Sequence, residues 1–321
     1  MAWYFVVFIF LFSCVLLAWL SSRLIKCLIQ IGRYLKWREF VVTFFVMALA
    51  TSLPNFFVVF SSIMHGIPEL ALGDIIGGNL ADLTLVLAIA VFFSKKGIMA
   101  NSETVQKSAV FTSAIAVLPL LLMADAKISR LDGLILIFSF FLYSWWIFSE
   151  KSRFTKIYNN IVENHISFKS FLKNVAKTIV LIILLLVASQ AVIFSAQFFS
   201  SRLGISLALT GILIVGLGNV FPETYFSIVS ARRKENWLVL GELMGSIIIC
   251  ATLVLGIMAL VSPFQINDLT PFFTARVFLI IAAVLTLILI KTDRKITKKE
   301  GLFLLFIYIM FLLVEIFISS S

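Results

Sequence analysis

The sequence predicts an all-α integral membrane protein: ten transmembrane helices arranged as two inverted five-helix repeats. Three observations predict this. Apolar residues make up 61% of the 321 positions and charged residues 13%, more apolar surface than a soluble domain can hide behind a polar exterior. Apolar stretches of roughly 20 residues, the length that crosses a hydrocarbon core, recur along the whole chain. One unusual segment occurs twice, because Gly218–Leu260 aligns with Ala50–Phe92 at a constant offset of 168 residues and without a gap.

The expected spans are 3–28, 39–64, 69–93, 105–123, 131–149, 171–199, 206–230, 237–261, 272–290 and 300–318. All are read as helices, since lipid leaves backbone groups no water to bond. The first and sixth are long enough to tilt or protrude. Residues 2–20 lack the basic flank and small-residue cleavage site of a signal peptide, so they count as the first span. Of the 26 Lys and Arg, 22 fall in 23–38, 94–107, 150–177, 231–236 and 291–300, leaving Lys127, Arg130, Arg202 and Arg276. With basic loops inside, both termini lie outside a cell membrane. The net charge of +10 sits in these short loops rather than on one polar face, which excludes nucleic acid as a partner. The partners expected are cations and the lipid bilayer.

On this orientation the second span runs outward and the seventh inward, so the two copies of the repeat are inverted. Residues 1–149 form the first half with its repeat at 50–92. Residues 150–170 form a polar, basic cytoplasmic linker, and 171–321 form the second half with its repeat at 218–260. Such an architecture suits alternating access, with substrate at the midplane between the halves. Cys14, Cys27 and Cys250 have spacings that suit neither zinc nor a disulfide framework.

The chemistry is expected within the repeats. Pro54 and Pro222 occupy equivalent positions; each removes a backbone donor and frees a carbonyl one turn earlier. Oxygen-rich, partly unwound backbone is what a hard cation needs. The intramembrane carboxylates are Asp74, Asp82, Glu223 and Glu242, and each ionised group costs about 3 kcal/mol at the bilayer centre. Depth assigns Asp82 and Glu223 as central ligands for a metal cation. Asp74 lies about 12 Å further out along its helix. It and Glu242 are either vestibule charges at the two mouths or interfacial side chains. Glycines 77, 78 and 245 allow close helix approach. His65 and Glu315 read as interfacial. No metalloprotease, serine-hydrolase or phosphate-loop pattern appears, so the chain is not expected to be an enzyme or to carry a cofactor.

The two segments resemble the α-repeats of the sodium/calcium exchanger family, whose pattern runs roughly G-T-S-L-P-E, a turn, then L-G-N-x-x-G-S-N. The first copy matches as Ala50-Thr51-Ser52-Leu53-Pro54-Asn55 and Leu72-Gly73-Asp74-Ile75-Ile76-Gly77-Gly78-Asn79-Leu80-Ala81-Asp82. The second matches more loosely as Gly218-Asn219-Val220-Phe221-Pro222-Glu223 and Leu240-Gly241-Glu242-Leu243-Met244-Gly245-Ser246 through Cys250. The resemblance implies ion-binding roles for Thr51, Ser52, Asn55, Asp82, Asn219, Glu223, Ser246 and Cys250, with Thr51 and Asn219 giving backbone carbonyls. Asn55 stands where the family carries an acid, and Cys250 where it carries Asn or Asp. Gly78 lacks the hydroxyl of its position. This marks a divergent member.

The resulting expectation is a secondary-active antiporter that exchanges Ca²⁺, or a related divalent cation, for Na⁺ or H⁺. The alternative is a membrane sensor or scaffold of the same fold that binds cations without transporting them.

Overall fold

A computed structural model describes the backbone of residues 3–34, 39–149, 168–292 and 294–320, and within 39–51 the backbone only. The expected linker falls outside the described residues except for 168–170, which begin a helix.

The chain opens with α1 (Trp3–Tyr34) and α2 (Glu39–Met64), the latter running unbroken through Pro54. A turn at Gly66, whose φ of +66° suits only a residue without a Cβ, leads into one long rod. The rod consists of α3 (Pro68–Ala81), a π-helical segment (Asp82–Val86) and α4 (Leu87–Phe93). Strand β1 (Ile98–Met99), α5 (Glu103–Leu122), β2 (Lys127–Ile128) and α6 (Arg130–Ser149) follow.

The second half repeats the order. It begins with α7 (Phe168–Leu203). The next rod is α8 (Leu207–Thr210), a π segment (Gly211–Val215), α9 (Gly216–Asn219) and α10 (Phe221–Arg232). Then come α11 (Asn236–Ile248), a π segment (Ile249–Val254), α12 (Leu255–Val261), β3 (Phe264–Gln265), α13 (Thr270–Thr292), β4 (Lys295–Ile296) and α14 (Lys298–Ser320). Among the described residues, nine of these helical rods are long and apolar enough to cross a membrane, and Ser52–Met64 of α2 adds a shorter apolar stretch. The protein is an all-α, multi-pass membrane protein.

The structure departs from the sequence reading in two places. Helices α1 and α7 are longer than expected, ending at Tyr34 and beginning at Phe168. Their polar ends keep helical hydrogen bonds beyond the apolar stretch, which a hydropathy reading does not register. The two prolines behave unequally: α2 runs unbroken through Pro54, where partly unwound backbone is expected, whereas the rod from α8 to α10 is broken near Pro222 as expected. Val220, with φ −82° and ψ 3°, separates α9 from α10 immediately ahead of Pro222.

Burial identifies the centre. Fully 83% of Pro68–Phe93 and 78% of Leu238–Val261 is buried, against 33–44% of the other membrane-length helices. These two rods lie inside the protein and the others face lipid on one side. Helix α3 packs on α8, the π segment and α9 backbone to backbone. A Cβ on Gly73 would collide with Ala208 O, one on Gly77 with Ile212 O, and one on Gly211 with Leu70 O. The small residues are therefore what permit the approach. A second apolar cluster joins α1 to α7, through Phe10, Leu17 and Leu24 against Leu185, Val192 and Phe199.

The 168-residue offset continues past the segments read from the sequence. Lys127-Ile128-Ser129 with Asp132-Gly133 recurs as Lys295-Ile296-Thr297 with Glu300-Gly301. Each set folds alike. Ser129 N and Oγ donate to Asp132 Oδ2 at 2.7 Å and Asp132 N returns to Ser129 Oγ at 3.3 Å. Thr297 N and Oγ1 donate to Glu300 Oε2 at 2.6 and 2.7 Å, and Glu300 N returns at 3.4 Å. These are capping boxes, which satisfy the orphan donors at a helix start. Gly133 packs against Ala259 and Gly301 against Val91, again 168 residues apart. Two antiparallel ribbons, β2 with β3 and β1 with β4, tie loops of the first half to loops of the second.

Candidate functional site

Two of the three π segments among the described residues, Asp82–Val86 and Ile249–Val254, lie at the equivalent place in their rods. Asp82 opens the first and Cys250 is the second residue of the other. The local cause is shared. Thr84 Oγ1 donates to Leu80 O, and Thr252 Oγ1 to Ile248 O; such back-bonding four residues upstream competes with the helical ladder and bends it. A π segment inserts one residue per turn and re-aims the side chain at its start, which is why such segments gather at functional sites.

The halves meet at these points. Asn55 Nδ2 donates to Cys250 Sγ at 3.3 Å, and Ser52 Oγ donates to Ser246 Oγ at 3.4 Å. Ser246 Oγ donates in turn to Glu223 Oε1 at 3.3 Å. Glu223 is within electrostatic reach of Asp82 and Glu242, and Cys250 within reach of Glu223, Asp82 and Asp74. Six of the sequence-derived ion-binding residues, Ser52, Asn55, Asp82, Glu223, Ser246 and Cys250, thus share one buried centre. Thr51 lies outside the residues whose side chains are described. Asn219 is also buried and turns its amide nitrogen to Asp74, 2.9 and 3.0 Å from the two carboxylate oxygens.

Among the described residues, the buried charged groups are all acids: Asp74, Asp82, Glu223, Glu242 and Glu315. Asn55 Oδ1, Asp82 Oδ1, Asn219 Oδ1 and Glu223 Oε2 are buried oxygens with no hydrogen-bond partner among the described residues. A buried acceptor without a donor is costly, and a cation relieves that cost directly. No group of three or more His, Cys, Asp or Glu among the described residues is arranged to hold a metal ion. A hard cation bound here would therefore draw on amide, hydroxyl and backbone oxygens around the two acids.

Three readings from the sequence change. Asp74 and Glu242 are only 1% and 4% exposed, enclosed by packed helices rather than placed at a mouth or in the headgroup layer. Asp74 accepts from Asn219, and Glu242 Oε2 accepts from Ser227 Oγ at 3.3 Å. Glu315, expected among headgroups, is 3% exposed, because α13 packs over that end of α14. The sequence reading missed Ser227, which lies one turn past Glu223, and Cys14. Cys14 Sγ and Phe10 Cζ would lie 2.9 and 2.8 Å from a Cβ on Gly218, so α1 is seated directly on the turn that precedes Asn219.

Residues 5–149 and 173–317 match the family model described as sodium/calcium exchanger protein. The chain belongs to the sodium/calcium exchanger family. That family consists of transporters rather than enzymes, and the chain accordingly is a membrane antiporter of cations. The sequence is 24% identical over 302 residues to a putative antiporter, CaxA, of Alkalimonas amylolytica, covering 92% of this chain and 93% of that one. It is 22% identical over 334 residues to the sodium/calcium exchanger MaX1 of Methanosarcina acetivorans, covering 93% and 95%. The fold matches the sodium-calcium exchanger NCX_Mj, solved after soaking with Na⁺ and Sr²⁺, at a TM-score of 0.63 and 25% identity, covering 96% of this chain and 98% of that one.

Proposed function

We propose that this member of the sodium/calcium exchanger family exchanges Ca²⁺, or a related divalent cation, for Na⁺ or H⁺ by alternating access. The reading includes ten crossings in two inverted halves, 1–149 and 171–321, with both termini outside the cell membrane. The observation that carries it is the convergence of Asp82 and Glu223, each with an unpartnered buried oxygen, from the repeat segments of the two halves. Two carboxylates balance one divalent or two monovalent cations. Either occupant therefore removes the cost of two buried charges, and the empty, charged centre is disfavoured. That is the condition for obligatory exchange rather than leak. Sliding of α1 and α7 across the central rods would switch the side from which the centre is reached.

The test is uptake of radiolabelled Ca²⁺ and Mn²⁺ into proteoliposomes under an outward Na⁺ gradient or a pH gradient. Uptake driven by one of the gradients, and lost in Glu223→Gln and Asp82→Asn, supports the reading. No gradient-driven flux of either divalent ion ends it.

One observation favours the sensor alternative. Asn55 stands where the family carries an acid and Cys250 where it carries Asn or Asp, and the two hydrogen-bond each other, so half of the centre is neutral. Cation binding to the purified protein without flux would identify that case.

A further inference from the structure

We propose that Asn219 gives the cation its side-chain amide oxygen, and that Asp74 is the positioning residue that aims it. This rests on the reading of the centre as a cation-exchange site.

The geometry is polar in a definite sense. Asn219 Nδ2 lies 2.9 and 3.0 Å from Asp74 Oδ1 and Oδ2. Both carboxyl oxygens of Asp74 accept from the amide, so the end of the amide that faces Asp74 is the nitrogen. The amide oxygen, on the other branch of the same carbon, is turned away from Asp74. That oxygen is buried and has no hydrogen-bond partner among the described residues. It shares this condition with Asn55 Oδ1, Asp82 Oδ1 and Glu223 Oε2, which are the other oxygens offered to the ion.

Placement agrees. Asn219 is the last residue of α9, one turn ahead of Glu223 across the break at Val220. Asp74, Gly78 and Asp82 follow one another at four-residue intervals from α3 into the start of the π segment, so they share a face. The two backbones that carry the pair are nearly in contact. A Cβ on Gly216 would lie 2.8 Å from Gly78 N and 3.2 Å from Asp74 O. The pair is therefore held by main-chain packing on both sides and cannot drift apart. Asp74 and Asn219 also depart together from the repeat pattern, which has Asn at the first position and Thr at the second. The oxygen gained at Asn219 offsets the hydroxyl missing at Gly78.

The experiment measures half-saturating Ca²⁺ and Mn²⁺ for the full-length protein, by calorimetry in detergent and by uptake in proteoliposomes. Asn219→Leu removes the oxygen at similar volume and should raise the half-saturating concentration about tenfold, the worth of one good polar contact. Asp74→Asn should weaken binding similarly, since the new amide can donate to Asn219 Oδ1 and draw it away from the ion. The reversed pair, Asp74→Asn with Asn219→Asp, keeps one oxygen of residue 219 on the amide and frees the other, and should restore wild-type affinity or better. A purely structural pair would lower thermal stability without this rescue. Unchanged affinity in Asn219→Leu, or in Asn219→Ser should the leucine variant not fold, overturns the proposal, as does failure of the reversed pair to restore binding. Wild-type protein that binds neither ion would instead remove the exchange-site reading itself.

Discussion

Gly77 and Gly78 are adjacent in α3, yet alanine at the two positions should have opposite effects. A Cβ on Gly77 would lie 2.7 Å from Ile212 Cα and 2.8 Å from Ile212 C, and nearer still to Ile212 O. These are backbone atoms in the π segment Gly211–Val215, so no side chain can swing aside. Relieving the contact with Ile212 O requires the rods to part by more than ~1 Å, and overpacking on this scale lies at the upper end of the usual range, ~2–3 kcal/mol. The better helix propensity of alanine returns at most ~1 kcal/mol, leaving Gly77→Ala destabilised by about 1–2 kcal/mol. A Cβ on Gly78 meets only Val220 Cγ1, at 4.0 Å. Gly78→Ala therefore keeps the propensity gain of ~0.5–1 kcal/mol. At roughly 2 °C per kcal/mol for a chain of this size, the two variants should differ in melting midpoint by about 3–6 °C. Fluorescence-detected size exclusion after a temperature ramp in detergent reads this difference. Equal midpoints, or a less stable Gly78→Ala, would show that α3 and the broken rod are not in main-chain contact, and the close-packed centre would be refuted with them.

Gly78→Ser should go further than alanine by restoring the hydroxyl of the pattern, and cation affinity measured by calorimetry should rise. Cys250→Asp places a third carboxylate beside Asn55, and exchange that is insensitive to membrane potential in the wild type should become potential-dependent in potassium-clamped liposomes. Ser129→Ala and Thr297→Ala each remove one capping box and should each cost about 1 kcal/mol. The two losses should be similar in melting experiments, with half-saturating cation concentrations unmoved. Gly97→Ala should destabilise more than Gly66→Ala. Both positions have positive φ, but only at Gly97 would the added methyl also meet Ile296 O, whereas at Gly66 no heavy atom lies within 4 Å.

Most of the helical architecture was legible because lipid solvent reduces the problem to apolar length and loop charge. The central residues were legible because the repeat marks them twice. Asp82 and Glu223 are the acids that fall at the π opening of the first half and beside the proline of the second. Three things were not legible, each for a physical reason. A π segment leaves hydropathy unchanged, so the re-aiming of Asp82 and Cys250 has no sequence period of its own. Depth alone could not distinguish a mouth from a packed interior, so Asp74 and Glu242 were given to the rims; the neighbour that encloses Asp74 is 145 residues away in Asn219. The capping boxes were readable in principle. Ser129 with Asp132 and Thr297 with Glu300 lie 168 residues apart, but four polar residues between long apolar runs carry little weight until the hydrogen bonds are seen.

The same contacts divide the molecule into parts held by register-specific contacts and parts held mainly by apolar area. The central rods touch through main-chain atoms at Gly73, Gly77, Gly211 and Gly216, where a displacement of one residue brings a Cβ against a carbonyl. Their loops are joined across the halves by two ribbons. Helices α1 and α7 hold a separate apolar cluster, and the polar links from α7 to α2 are Ser61 Oγ with Ser189 Oγ at 2.5 Å and Gln190 Nε2 to Ser61 Oγ at 3.2 Å. Ser21, the residue equivalent to Ser189 on α1, has a buried hydroxyl without a partner among the described residues. Apolar attraction is non-directional and depends on area rather than register, so translation that conserves buried area changes it little, whereas hydrogen bonds and glycine contacts fix register. The equivalent of Ser61 in the second half is Val229, which has no hydroxyl, so the hydrogen bond that fixes α7 against α2 cannot be repeated between Ser21 and that position. The rods that carry Asp82 and Glu223 are the ones held by main-chain packing.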